Sequence, residues 1–135
     1  MSMSTKILFA IIYIVLDLLW ISTMSTFFYK NKIEAVQMSS PMKFKIIPAI
    51  MAYITLLIVM FFICIPLSEF FKDKYPTWFV FSVVGFCIYG VYNFTNGAIF
   101  TNYDNIFMLV DTLWGIVSFA ILGSIFTFLQ KNKIN

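Results

Sequence analysis

Four apolar stretches dominate the chain, at residues 7–29, 44–67, 77–100 and 106–129. An α-helix rises 1.5 Å per residue, so about 20 residues cross the ~30 Å hydrocarbon layer of a bilayer. Each stretch is long enough. Together they leave only short connections in 135 residues. The fold class read from this pattern is all-α: a four-span transmembrane helical bundle, forming one integral membrane domain over residues 1–135. Composition agrees. The chain is 61% hydrophobic and 11% charged, with a mean hydropathy of +0.93, whereas a soluble domain is about half apolar and about a quarter charged. The expected location is multi-pass in a membrane, and the expected partners are membrane lipids, with a homo-oligomer or another membrane protein left open.

Several function classes drop out. The net charge of +3 comes from lysine alone, without arginine or a basic run, so nucleic-acid binding has no electrostatic footprint. There is no histidine, which removes the commonest general base and most zinc sites. Cys64 and Cys87 fall inside apolar runs, where a thiol usually serves packing. No metal site and no cofactor is expected, and whether the chain is an enzyme stays open.

The first stretch contains Asp17 and lacks a small-residue cleavage site, so it reads as an uncleaved span. Residues 30–45 are the most polar segment and read as a loop; a short interfacial helix through Ile33, Val36 and Gln37 is the second reading. The second stretch carries Pro48 in its first turn, where a missing amide costs little, and Pro66 is expected to close it. Ser68 to Pro76 is a charged turn, with Tyr75 and Trp78 placed for the interfacial aromatic belt. TNYDN, residues 101–105, is a tight polar turn, and QKNKIN is a polar tail. Both termini then share one side of the membrane with Lys6, Lys72, Lys74, Lys131 and Lys133; the other side holds Lys30, Lys32, Lys43 and Lys45. Five lysines against four barely decide which side is cytoplasmic.

The chemistry concentrates between Gly85 and Gly115. Gly85, Tyr89, Asn93 and Asn96 are spaced by four, four and three, so they share one helical face. Tyr92 and Thr95 lie beside them. Asn93 stands ~24 Å along the third span and Asp111 ~8 Å into the fourth from its other end. A short turn makes these spans antiparallel neighbours, so Asn93 and Asp111 meet at one level, with Tyr89 or Tyr92 beside them. The first span reads Asp17-Leu18-Leu19-Trp20 and the fourth Asp111-Thr112-Leu113-Trp114. This shared D-x-L-W sets Asp and Trp on one face of each helix. An inverted repeat or chance would both give such a match. Asp17 lies about one turn deeper than Asp111. An Asp at mid-span costs roughly 2.5–3.5 kcal/mol on insertion scales, and no lysine lies mid-span to neutralise it. The acids therefore need a proton or hydrogen bonds from Tyr, Asn and Trp.

Three readings follow. Asp17, Trp20, Tyr89, Tyr92, Asn93, Thr95, Asn96, Asp111 and Trp114 form a site for a lipid-like or small hydrophobic ligand, or the same groups are interhelical glue in a structural or assembly protein. A proton- or cation-linked transporter subunit is the third reading.

The pattern Gly85, Tyr89, Tyr92, Asn93, Thr95, Asn96, followed by Asp111, Trp114 and Gly115, resembles a family of predicted bacterial membrane proteins, domain of unknown function 2177. Asp17 and Trp20 with Phe28-Tyr29, and the surroundings of Tyr53 and Pro66, are similar too. The resemblance covers nearly the whole chain and implies a four-helix membrane fold with a polar face centred on Asp17, Tyr89, Tyr92, Thr95, Asn96, Asp111 and Trp114. The family pattern carries an acid where this chain has Asn93, a departure that implies a lost or altered activity if that acid does chemistry.

Overall fold

The computed structural model describes residues 3–131. The start at Met1 and Ser2 and most of the expected tail, with Lys133, lie outside the described residues. Every regular element among those described is helical: α1 (Met3–Met24), α2 (Lys30–Val36), α3 (Ile46–Val59), α4 (Ile65–Phe70), α5 (Thr77–Ile99) and α6 (Asn105–Lys131). One π turn, Ser25–Tyr29, joins α1 to α2, and another, Met60–Cys64, joins α3 to α4. Four continuous rods result, Met3–Val36, Ile46–Phe70, Thr77–Ile99 and Asn105–Lys131, each long and apolar enough to cross a membrane. The protein is an integral, multi-pass membrane protein.

Two local expectations need correcting. The loop expected from Lys30 begins only at Gln37, because α2 continues the first rod without a break. Pro66 does not close the second span; the helix runs on to Phe70. A proline ring crowds the carbonyl four residues back and donates no amide. The π turn just ahead of it widens the backbone, with the Ile65 amide bonding back to the Met60 carbonyl, and so accommodates the ring within a continuous rod.

The first π turn has a local cause. Ser22 and Thr23 hydroxyls bond the Leu19 carbonyl at 3.1 and 2.8 Å, and Thr26 bonds that of Ser22 at 3.4 Å. Side chains that occupy backbone carbonyls compete with the regular ladder and bend helices. The turn then closes with the Lys30 amide on the Ser25 carbonyl. Its consequence is rotational. Tyr29 follows Asp17 by twelve residues, which in an unbroken α-helix would turn it about 120° away. One residue taken up by the π turn brings it to within about 20° of the Asp17 face.

α5 and α6 form the central pair. Gly85 lies so close to α6 that a Cβ there would strike the Gly115 carbonyl, and a Cβ on Gly115 would strike the Tyr89 ring. This is the small-residue seam by which membrane helices pack when no hydrophobic force drives them together. Gly97, by contrast, faces the Met108 side chain. Towards the chain ends the interior is aromatic and apolar: Phe9, Tyr13, Met60, Cys64, Phe81, Phe119, Leu122 and Phe126. α3 buries no residue; the second span enters the core through its π turn, by Met60 and Cys64.

Candidate functional site

Asp17 is 4% exposed. Its carboxylate accepts a hydrogen bond from the Tyr53 hydroxyl at 3.0 Å and from Trp114 Nε1 at 3.1 Å. Asp111 is half-buried and accepts from the Tyr29 hydroxyl at 3.0 Å and from Asn93 Nδ2 at 2.8 Å. Each carboxylate oxygen thus receives a donor, and every donor comes from a different span than its acceptor.

The two D-x-L-W segments cross. Trp114, on the helix of Asp111, serves Asp17. Trp20, on the helix of Asp17, donates to the Tyr29 hydroxyl at 2.8 Å, which in turn serves Asp111. Between them the Trp20 and Trp114 rings stack, 4.1 Å apart and within 1° of parallel. Because Trp114 lies one turn below Asp111, its bond to Asp17 places that acid one turn deeper, the level expected from the sequence.

Asn93 is fully buried. Its Oδ1 accepts from the Tyr103 hydroxyl at 2.6 Å, while Nδ2 also reaches the Tyr89 carbonyl at 2.9 Å. The Tyr103 donor orients the amide so that its N–H group faces Asp111. One chain of hydrogen bonds therefore runs from Tyr103, in the α5–α6 turn, through Asn93, Asp111 and Tyr29 to Trp20; the stacked indoles link it to Asp17 and Tyr53. One turn from Asp17 on the same face, the Tyr13 hydroxyl is buried beside Tyr89.

At the Tyr103 end the chain meets a cavity of about 260 Å³. Polar groups of Lys32, Gln37, Tyr92, Asn96, Tyr103 and Asp104 line it, with Ile33, Val36, Phe100 and Phe107. The Lys32 ammonium lies 2.7 Å from Asp104 Oδ2. Asp104 Oδ1 accepts the Phe107 amide at 2.8 Å and so caps α6. The Lys32 ammonium and this amide hold the Asp104 carboxyl below its usual range. Burial pushes the Tyr103 phenol up to about 12, so it keeps its proton at neutral pH.

The residues expected from sequence divide. Asp17, Trp20, Asn93, Asp111 and Trp114 belong to the hydrogen-bonded chain. Tyr89 contributes its carbonyl, and its ring packs on Phe119 at 6.3 Å. Tyr92 and Asn96 line the boundary cavity. Thr95 is exposed and outside the bonded set. Four further residues complete the arrangement: Tyr29, Tyr53, Tyr103 and Asp104. Asp104 carries a readable signal, an acid directly before an apolar helix. Tyr29 stands out only through the family resemblance and not through helical spacing, since its facing depends on the π turn.

A family model described as "Predicted membrane protein (DUF2177)" matches residues 3–129. Comparison with curated proteins and with solved structures returned no match.

Proposed function

We propose a ligand-binding role for this chain, which belongs to the DUF2177 family of predicted membrane proteins. The polar end of a lipid-like molecule enters the cavity beneath Lys32 and Asp104, and the carboxylate chain behind it is the rigid frame that shapes its floor. The observation that carries this reading is Tyr103, which lines the cavity and is bonded directly to Asn93 and through it to Asp111. At about 260 Å³ the cavity suits a headgroup or short segment and not a whole lipid. Its apolar wall of Ile33, Val36, Phe100 and Phe107 would receive the adjoining hydrocarbon.

The test is to extract the protein in mild detergent and identify co-purifying small molecules by mass spectrometry, for the native chain, Asn96→Leu and Asp17→Asn. Loss of a retained compound in Asn96→Leu, with its survival in Asp17→Asn, supports the reading. An identical profile in all three sinks it.

A second reading has its own observation. All carboxylate oxygens of Asp17 and Asp111 are capped by donors from other spans, as expected of a structural clasp in a protein without chemistry. In that case both Asp→Asn variants change stability or association alone. Transport has less support, because the route from Asp17 towards the chain ends is filled by Phe9, Phe81 and Phe126.

A further inference from the structure

Two cavities on the outer face of the α5–α6 pair adjoin, sharing Trp78 and Ser124 as walls. The larger one, about 420 Å³, is an open groove along Ile116, Ala120 and Ile121 and is almost wholly apolar. The smaller one, about 360 Å³, opens between Lys72, Tyr75, Thr77 and Thr127. We propose that together they bind one anionic membrane lipid, with an acyl chain in the apolar groove and the headgroup against Lys72.

Length, charge and depth point the same way. From Ile116 to Thr127 the groove follows eleven residues of α6, or ~16 Å, about one leaflet's depth of hydrocarbon. Small side chains at Ala120 and Ser124 leave the channel, and Gly123 lets α5 close its far wall, since a Cβ there would meet the Trp78 backbone. The change from apolar to polar lining occurs where α5 begins, at Thr77, the level at which a lipid changes from chain to headgroup. Among the described residues Lys72 lines the polar cavity and no acid does. Lys131, one turn beyond Thr127 on the same helix face, adds a second positive charge nearby. Trp78, 49% exposed, stands at the junction as an interfacial aromatic.

The experiment is native mass spectrometry of the full chain released from nanodiscs holding equal phosphatidylglycerol and phosphatidylcholine. The expected result is one retained lipid per chain, with phosphatidylglycerol favoured about fivefold, the effect of one lysine near an anionic headgroup. Lys72→Gln, a surface change that leaves the bundle intact, should remove most of that preference, leaving only the smaller share of the more distant Lys131. Ala120→Phe should remove the retained lipid. Equal retention by the native chain, unaltered preference in Lys72→Gln, or native retention in Ala120→Phe would each overturn the proposal. So would a dimer, lipid-free at this face and dissociated by Ala120→Phe, which would give the groove to a second copy.

Discussion

The half of the bundle near Lys32 and the half near the chain ends are held by different forces. Near Lys32, directed bonds of 2.6–3.1 Å tie the spans together: Asp17 to Tyr53 and Trp114, Asp111 to Tyr29 and Asn93, and Asn93 to Tyr103. Near the chain ends, Phe9 meets Phe61, Phe81 and Phe126 at ring separations of 6.3, 6.5 and 5.8 Å, each edge-on or tilted. In lipid the aromatic half gains little from hydrophobicity and holds by close packing. The polar half is bound to one rotation of each helix, because a turned helix would strand a carboxylate in hydrocarbon. Packing supplies adhesion at one end, and hydrogen bonding supplies register at the other.

Four measurements would break or sharpen that contrast. Gly85→Val should have the largest effect, because it pushes the Gly115 carbonyl away and parts α5 from α6 along both halves. Size-exclusion chromatography in detergent should show loss of the folded peak; an unchanged peak would refute the close seam. Next come paired truncations, read by unfolding in mixed micelles. Phe126→Ala, in the packed half, should cost about 2–3 kcal/mol, the cavity cost with little water-transfer cost added. Asp111→Ala, which strands the donors of Tyr29 and Asn93, should cost about 1–3 kcal/mol. The reverse order would mean that the polar half carries adhesion as well as register.

Asn93→Asp is smaller and more diagnostic. It sets a second carboxyl where Nδ2 now lies 2.8 Å from Asp111, and two such groups must share a proton to stay together. The variant should therefore lose stability as pH rises and the shared proton is lost, a response the neutral amide of the native Asn93 cannot add. The smallest effect belongs to Lys32→Gln, at most about 1 kcal/mol for an ion pair this open to solvent. Its signature is in acid. The Asp104 carboxyl is held below its usual range, so the pair's stabilisation is complete above that range and disappears as pH falls through the lowered value. Thermal scans of the native chain should show this acid-sensitive component, and those of Lys32→Gln should lack it.

The two halves were not equally legible. Hydropathy alone yields the four spans. Depth counting along adjacent antiparallel helices predicts the meeting of Asn93 and Asp111, because a short turn leaves their level no freedom. The D-x-L-W repeat marks both indoles, yet not that each would serve the acid of the opposite helix, since that depends on how α1 lies against α6. Tyr92 and Thr95 were harder: residues beside a polar face share its periodicity, and only packing decides that Tyr92, 58% exposed, turns to the boundary cavity. The helical reach of Lys30–Val36 was hidden by its lysines, which can leave a helix for the headgroups without breaking it.

The π turn at Ser25–Tyr29 has a consequence at the level of the gene. It stores one codon's worth of chain without altering which way the downstream residues face. Deleting a single residue among 25–28 should leave an ordinary helix that still turns Tyr29 towards Asp111, drawn back by ~1.5 Å. Adding one instead would swing Tyr29 about 100° away and orphan both its partners. Length variation at this point is therefore a one-way ratchet, tolerant of contraction and closed to growth.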